Sequence, residues 1–407
     1  MSASGIAHAA ATDPQEAERI AAIVAPHLPA SLVPVFDGRF GRSNALYDEF
    51  VYRLTLRIFC NAGLGAAVGE WGNAEKIAGR AAVDPRRAAA CLSWILRHLA
   101  RRGVLAREDA IGGPRFRAEQ EITALDPAPI AAAQRQHDPG CLPSYVLAET
   151  AAQEYPTFLR GGASGEEILF APTRLPLWLN YFSNDNVLYA VNNRVGAVAV
   201  ETWMPRGAGT ILELGGGLAS GTAALLERLA GAGRLGDVQA YRFTELVPAF
   251  LRRGQRLLQE RFHDGPPLTF APLDMNRSFA EQGVAPESVG LVYAVNTLHV
   301  AHDLAFTLGE VRRALEPGGQ LIVSECVRPR PSDTLSPELV FNLLETFRSP
   351  RLHSTYRPNG GFLTPEQWTE ALDAAGFRDV RVLPDVMRIR EDFPGFCVAA
   401  IGATRPA

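Results

Sequence analysis

The second half of the chain alternates short apolar runs with stretches of helical periodicity. The apolar runs have the length of strands and cover residues 211–214, 238–244, 268–273, 289–295 and 320–324. Residues 303–315 show the clearest helical pattern between two of these runs. Short apolar runs bounded by turn residues and separated by helices are typical of a parallel sheet. The pattern therefore predicts an α/β domain in this half of the chain.

The first of these runs leads directly into three glycines. Residues 210–221 read T-I-L-E-L-G-G-G-L-A-S-G, and an alanine-rich helical pattern begins near Ala219. At Gly215, Gly216 and Gly217 a ligand can approach the backbone closely, and positive φ angles are accessible. The start of the following helix offers unpaired N–H groups to a negatively charged part of a ligand. A strand, a glycine turn and a helix start therefore predict a nucleotide-binding unit.

The spacing of this turn separates three classes of ligand. A phosphate-binding P-loop would end in Gly-Lys-Ser/Thr, but Thr222 follows Gly221 without a lysine. The dinucleotide fingerprint G-x-G-x-x-G would place its third glycine at Ser220. An acid at the strand tip, Glu213, suits a cation such as an α-ammonium group better than a pyrophosphate. The pattern E-x-G-x-G resembles motif I of class I S-adenosylmethionine (SAM) methyltransferases, and this resemblance implies SAM as the cofactor.

Polar residues follow the next strands at the edge where ligands bind in such sheets. Glu245, next to Leu246, can accept hydrogen bonds from two ribose hydroxyls, and Asp274-Met275 suits an adenine amino group and ring face. Further cofactor contacts are expected from the residues that follow residues 289–295. The predicted cofactor-binding residues are Glu213, Gly215, Gly216, Gly217, Glu245, Leu246, Asp274, Met275, Asn296 and Thr297.

The first half of the chain predicts a different, mostly helical domain. Residues 1–45 are an alanine- and proline-rich lead with one helix over 14–24. From 46 to 125, helical patterns are followed by two short strands around a glycine turn, which indicates a winged-helix domain. Such a domain could mediate dimerisation, bind DNA or serve as a structural cap. Arginines alternate with Leu92, Trp94 and Leu99 on its long helix, so much of that helix must be packed, and dimerisation is favoured.

Between and after these domains lie a connecting region and an insertion. Residues 126–143 are proline-rich and predict a linker, and the aromatic-rich residues up to 208 predict helices that cover the active site. In the methyltransferase domain (209–407), the insertion 327–361 contains the helical pattern PELVFNLLETF and predicts a lid. A well-capped helix begins near Thr364, and the final two strands predict an antiparallel pair. The expected fold is a Rossmann-like seven-stranded sheet with an N-terminal winged-helix domain.

Composition narrows the choice of compartment and partner. The net charge of −4 does not favour binding to nucleic acid or membranes. Five scattered cysteines without a C-x-x-C pair predict reduced thiols. No secretory signal and no uncharged stretch long enough to span a bilayer is visible, so a cytoplasmic location is expected.

The candidate chemistry lies after the strand 289–295. His299 follows this strand, and a histidine with an ordinary pKa of about 6.5 is suited to proton removal near neutral pH. Glu325 ends the following strand and could orient the imidazole, as the acid does in a catalytic triad. A capping role for His299 is the plain alternative. A metal site is a weaker alternative, formed by His299, His302 and Asp303, perhaps with His353; we expect no metal.

Several longer stretches resemble the C-methyltransferase domains of polyketide synthases. The stretches are YPTFLRG, GEEILF, YRFTELVPAFL, LDMN, YAVNTLHVAHDLAFTLGEVRRALEPGGQLIVSE and GGFLTPEQWTEALDAAGF, between residues 155 and 400. The resemblance implies that His299, in an N-x-L-H motif, and Glu325 form a catalytic dyad. The winged-helix domain resembles that of small-molecule O-methyltransferases, and this implies a homodimer. Asn186, Tyr189, His353 and Tyr356 are the expected substrate-binding residues.

Three functions remain open from the sequence. The first is C-methylation of an activated, enolisable carbon of a ketoacyl-type small molecule or carrier-bound acyl group in natural-product biosynthesis. The second is O-methylation of a hydroxyl or carboxylate, and the third is a SAM-sensing or DNA-binding regulator. The same dyad could deprotonate an acidic carbon or a hydroxyl, so the methylated atom is what distinguishes the first two functions.

Overall fold

The first of two compact units is mostly helical. The computed structural model of the protein describes residues 13–407, so residues 1–12 of the predicted lead lie outside the described part. The unit contains residues 13–23, 36–181 and 332–348. Its elements up to residue 181 are α1 (Pro14–Val24), α2 (Gly38–Asn61), α3 (Ala74–Arg80), α4 (Pro85–Arg101), β1 (Ala106–Ala110), β2 (Gly113–Arg117), α5 (Ala128–His137), α6 (Leu142–Leu159), α7 (Gly165–Leu169) and α8 (Leu175–Tyr181).

The order α3, α4, β1, β2 is the helix, helix and hairpin order predicted for a winged helix. The hairpin strands pair antiparallel from Ala106 with Arg117 to Ala110 with Gly113. On α4, the apolar residues Leu92, Trp94 and Leu99 are at most 1% exposed, so the predicted packed face exists. Dimerisation through this region stays a prediction.

Two predicted boundaries in this unit differ from the structure. Helix α2 begins at Gly38, eight residues before the expected boundary at 46, because the Asp37 side chain caps it by accepting from the Phe40 N–H at 2.8 Å. The predicted linker 126–143 contains α5, whose Gln134 is fully buried and donates to Ser43 Oγ at 3.1 Å. Prolines at the start of a helix are compatible with helical geometry, which is why a proline-rich stretch can be helical here.

Part of the predicted lid packs into this first unit. Residues 332–348 belong to it, and the expected single helix is split into α13 (Glu338–Phe341) and α14 (Glu345–Arg348). The Trp94 indole N–H donates to Glu338 Oε2 at 2.9 Å. The Glu338 side chain is fully buried, so residues 332–348 have a packed core of their own with α4.

The second unit contains residues 24–35, 182–331 and 349–407 and is built on a seven-stranded sheet. Its strands are β3 (Gly209–Leu214), β4 (Val238–Thr244), β5 (Leu268–Ala271), β6 (Val289–Val295), β7 (Leu315–Cys326), β8 (Arg378–Leu383) and β9 (Val398–Thr404). Its helices are α9 (Val187–Trp203), α10 (Ser220–Gly231), α11 (Pro248–Arg261), α12 (Leu304–Ala314), α15 (Pro365–Ala374) and α16 (Val386–Asp392).

The strand order is β5-β4-β3-β6-β7-β9-β8. The first five strands run parallel, and β9 pairs antiparallel with both β7 and β8. This confirms the predicted seven-stranded sheet with a final antiparallel pair. Because β3, β6 and β7 are neighbours, the residues that follow them meet at one edge of the sheet. The seven residues of β6 are all buried, as expected for a central parallel strand.

Local signals in this unit agree with the structure in most places. Thr364 and Gln367 form the reciprocal capping box of α15, with Pro365 in the first turn. Asp303 is the N-cap of α12 rather than its first residue, and its side chain accepts from the Phe306 N–H at 3.2 Å. Strand β7 extends beyond the predicted 320–324, because residues 315–319 join it through a register shift against β6. Within residues 13–407, no helix is both long and apolar enough to cross a bilayer.

Candidate active site

The glycine turn joins β3 to α10 at the carboxyl edge of the sheet. Gly215 and Gly217 have φ angles of 61° and 57°, which L-residues with side chains rarely adopt. A Cβ on Gly215 would lie 2.5 Å from Thr297 Cγ2, and one on Gly216 would overlap the Phe243 ring. The turn therefore needs glycine for backbone conformation and for close packing, and it leaves an open backbone surface beside Gly217.

Glu213 is buried at the end of β3. It is 1% exposed, and its Oε2 accepts from Thr222 Oγ1 at 2.5 Å and from the Tyr241 hydroxyl at 2.9 Å. Burial raises the pKa of Glu213 to about 7, while the two hydroxyl donors lower it and the nearby Glu245 charge raises it. A nearby cation would stabilise the ionised form of a carboxylate in this environment, and the sequence predicts an α-ammonium group in that role.

Glu245 follows β4 and is hydrogen-bonded to the glycine turn. Its Oε2 accepts from the Gly217 N–H at 2.9 Å, and its Oε1 accepts from the Val247 N–H at 2.7 Å. Burial raises the pKa of Glu245, and the backbone donors oppose that shift. Each carboxylate oxygen has a second lone pair, so a diol could still be bound. Leu246 is 55% exposed beside it, which is a large exposure for an aliphatic side chain.

The remaining predicted cofactor residues occupy the same edge. The Asp274 side chain accepts from the Asn276 N–H at 2.9 Å, and the Met275 carbonyl accepts from Thr307 Oγ1 at 2.9 Å. Asn296 has a φ of 48°, and its Oδ1 accepts from the Cys326 N–H at 3.1 Å. Thr297 Oγ1 donates to the Gly215 carbonyl at 3.3 Å or the Val295 carbonyl at 3.0 Å. These contacts join the ends of β3, β6 and β7.

His299 and Glu325 are in direct contact. His299 Nδ1 lies 2.7 Å from Glu325 Oε2, and the two residues are 4% and 0% exposed. Glu325 Oε1 faces the backbone N–H groups of residues 297–299 at 3.2, 3.0 and 3.4 Å. Three backbone donors and the imidazole thus surround the Glu325 carboxylate. The carboxylate thereby orients the imidazole with a proton on Nδ1, leaving Nε2 as the nitrogen that can accept one.

Several residues that hold these side chains are not among those predicted from the sequence. Tyr241 and Thr222 contact Glu213, Arg357 donates to the His299 carbonyl at 2.5 Å, and the Phe362 ring centroid lies 4.5 Å from that of His299. Tyr241, Arg357 and Phe362 are distant in sequence from the residues they contact, and Thr222 is joined to Glu213 across the glycine turn. No local motif indicated them, although Arg357 lies within the predicted insertion 327–361.

The predicted substrate residues fall in two places. Asn186 is fully buried at the start of α9, and the Tyr189 hydroxyl on the first turn of that helix hydrogen-bonds with Ser220 at the start of α10. Burial raises the pKa of Tyr189, so its hydroxyl is neutral at physiological pH. His353 and Tyr356 stack with ring centroids 3.8 Å apart, and Tyr356 is 8% exposed. Their contact with a substrate stays a prediction.

The residues of this site suit SAM better than a metal ion. Within residues 13–407, the structure groups no three His, Cys, Asp or Glu side chains closely enough to hold a metal. The His302 backbone N–H donates to Asn276 Oδ1 at 2.7 Å, and Asp303 pairs with Arg351 at 2.6 Å. The glycine turn with positive φ, the buried Glu213 and the backbone-held Glu245 provide the donor and acceptor groups expected for a SAM site.

Comparison with known proteins identifies the domain. Residues 212–321 match the family described as a methyltransferase domain. A highly reducing polyketide synthase from Aspergillus niger is 32% identical over 182 residues, which are 43% of this chain and 7% of that protein. Polyketide synthase ThaG from Burkholderia thailandensis is 30% identical over 249 residues, which are 60% of this chain and 4% of that protein. The chain thus spans less than a tenth of the length of these relatives.

Solved structures show the same fold. The CurJ carbon methyltransferase has a TM-score of 0.76 at 22% identity and covers 96% of this chain and 99% of its own. The citrinin polyketide synthase CMeT domain has a TM-score of 0.71 at 16% identity, with 98% and 97% covered. The chain therefore carries a class I, SAM-dependent methyltransferase domain and is related in sequence to polyketide synthases.

Proposed function

We propose that the protein transfers the methyl group of SAM to an enolisable carbon of a ketoacyl-type substrate, with His299 as the base. The observation that carries this proposal is the 2.7 Å contact between His299 Nδ1 and Glu325 Oε2. The contact lies at the sheet edge that also carries the glycine turn. When bound, SAM supplies a methyl group carried on a sulfonium sulfur, and the rest of the cofactor is then a neutral thioether.

The chain's own residues would handle one proton. His299 Nε2 takes the proton from the carbon between two carbonyls, and the electron pair of that C–H bond becomes an enolate. The enolate carbon is then the nucleophile that would receive the methyl group that bound SAM would supply. Glu325 stabilises the imidazolium that results, because its charge is fully buried beside the ring. A base of this kind contributes a factor of ~10²–10⁴ in rate.

The neighbours support a carbon acceptor. The CurJ carbon methyltransferase has this fold over nearly the whole chain. By analogy, we propose a carrier-bound or free acyl thioester as the substrate, and a homodimer formed through residues 46–125. Sedimentation analysis of the full chain tests the dimer, and a monomer at micromolar concentration would contradict it.

The deciding experiment uses methyl-deuterated SAM with β-ketoacyl thioesters in one panel and phenols or hydroxy acids in another. Mass spectrometry detects transfer, and NMR locates the label. We expect the label on the carbon between the carbonyls, and transfer lost in His299→Ala. A label on oxygen would contradict this proposal and indicate that the protein is an O-methyltransferase. Specific DNA binding without any transfer would favour a regulator.

A further inference from the structure

Arg357 is a buried cation next to His299. It is 1% exposed, and its two terminal nitrogens donate to the carbonyls of Ala301 at 2.6 Å and His299 at 2.5 Å. Burial lowers the pKa of Arg357 to about 10, so the guanidinium stays protonated at neutral pH. The Nε of Arg357 is also buried, and it has no hydrogen-bond partner among the residues that the structure describes. Burying a charge in this way is costly, and the two charge-assisted hydrogen bonds offset only part of that cost.

The two carbonyls belong to the short turn that carries the imidazole. Residues Leu298–Val300 form a single 3-10 turn between β6 and α12. On one side, the His299 N–H faces Glu325 Oε1 at 3.4 Å and the ring contacts Oε2. On the other side, the His299 carbonyl is held by Arg357. The backbone of His299 is therefore bound at both its donor and its acceptor.

Two further contacts join the segment 351–357 to the residues just after this turn. The Arg351 N–H donates to the His302 carbonyl at 2.6 Å, and its guanidinium pairs with Asp303 at 2.6 Å. Within the segment, His353 and Arg357 exchange backbone hydrogen bonds of 2.9 and 3.0 Å. The segment 351–357 is thus a hairpin that contacts residues 299–303 through Arg351 at one end and Arg357 at the other. These contacts fix the position of the Arg357 backbone.

We propose that Arg357 is a positioning residue that holds His299 Nδ1 at hydrogen-bonding distance from Glu325. This inference rests on the proposed role of His299 as the base. A guanidinium suits the task because its planar fork bridges two carbonyls at once, whereas an ammonium acts as a point charge. Without the bridge, the His299 carbonyl loses its charged donor, and the imidazole loses its alignment with Glu325. A displacement of about 1 Å at a reacting group can cost ~10²-fold in rate.

Arg357→Lys, compared with Arg234→Lys, tests this role. Arg234 also donates to backbone carbonyls, those of Glu201, Met204 and Pro205, but at the opposite edge of the sheet. For Arg357→Lys we expect kcat to fall ~10–100-fold, with KM for both substrates and the affinity for S-adenosylhomocysteine (SAH) changed less than about 3-fold. Arg234→Lys should leave kcat within about 2-fold. Added guanidinium ion should restore part of the activity of Arg357→Ala, since it can refill the vacated space.

A double variant separates this inference from the proposed function. If Arg357 acts through His299, Arg357→Lys should cause no further loss in a His299→Ala background. An additive loss, an unchanged kcat in Arg357→Lys, or a joint loss of kcat, KM and SAH affinity without guanidinium rescue would overturn the inference. If His299→Ala alone keeps wild-type activity, the proposed base is wrong, whatever Arg357→Lys does.

Discussion

The Tyr241 hydroxyl on β4 donates a 2.9 Å hydrogen bond to Oε2 of Glu213 on the neighbouring strand β3. Thr222 Oγ1, on the helix after the glycine turn, donates to the same oxygen. Both donors favour the ionised carboxylate, yet burial outweighs them and raises the pKa of Glu213 to about 7. Glu213 is therefore an acid whose charge depends on pH near neutrality.

The raised pKa of Glu213 predicts a pH-dependent stability. The folded state keeps this proton up to about pH 7, whereas the unfolded chain loses it near 4.5. The stabilisation is therefore fully present below pH 4.5 and is lost as the pH rises to 7. In thermal melts, wild-type protein should lose more stability than Glu213→Gln between pH 5 and 7.5.

Cofactor binding should reverse this loss. An α-ammonium group beside the carboxylate favours its charged form, so the rise in melting temperature caused by SAH should grow as the pH approaches 7. The same rise should be nearly flat in Glu213→Gln. Parallel pH curves for the two proteins would show that Glu213 is not the titrating group.

Glu325→Gln should inactivate the protein through the histidine tautomer. The amide oxygen can still accept from the backbone N–H groups of residues 297–299, but its NH₂ then faces His299 Nδ1. This puts the imidazole proton on Nε2, which can no longer take a proton from the substrate. We expect kcat to fall ~10²–10⁴-fold, with little change in SAH affinity measured by calorimetry.

The matched control for this change is Glu310→Gln. Glu310 is also buried and accepts a backbone N–H, that of Phe279, at 2.7 Å, but it lies on α12. Its substitution should change stability more than kcat. Combining Glu325→Gln with His299→Ala should be no worse than His299→Ala alone, and an additive loss would argue against a dyad.

Two glycines of the turn, Gly216 and Gly217, should differ in how well they tolerate substitution by alanine. In Gly216→Ala the new methyl group overlaps the Phe243 ring, whereas in Gly217→Ala it meets no atom within 4 Å. Gly217→Ala carries only the cost of its φ of 57°, roughly 1–2 kcal/mol. Melting temperature should therefore fall more for Gly216→Ala. Phe243→Leu should partly restore the Gly216→Ala protein, and a failure to do so would mean that the overlap is not the cause.

Glu245→Gln should weaken SAM binding. Both carboxylate oxygens of Glu245 accept from backbone N–H groups, those of Gly217 and Val247. Glutamine removes the charge and replaces one of these oxygens with an NH₂, which then faces a backbone N–H. A lost hydrogen bond to a charged group costs about 1.5–3 kcal/mol, or ~10–100-fold in affinity for SAH by calorimetry. Asp237→Asn is the control, since Asp237 accepts from the Gly207 N–H at 3.2 Å at the other edge of the sheet. Equal losses in both variants would indicate general damage.

Local patterns in the amino-acid sequence predict most of the secondary-structure elements and the identity of the candidate side chains. The apolar run before Gly215, the acid near the end of β3, the acid after β4 and the capping pair Thr364 and Gln367 are all local patterns, and the structure has a strand, a turn or a helix start at each. Residues 238–244 and 289–295 became strands with those same bounds, because their apolar character and length allow little else.

Which of these groups contact one another follows from the folded arrangement of the strands and could not be predicted. The placement of Glu325 Oε1 against the N–H groups of residues 297–299, the bridge from Arg357 to the His299 carbonyl and the burial of Glu213 join residues far apart in the chain. The insertion was likewise divided by packing, with residues 332–348 in one unit and 349–361 in the other. Such contacts depend on strand order and on the three-dimensional path of the chain, and no local sequence pattern encodes either.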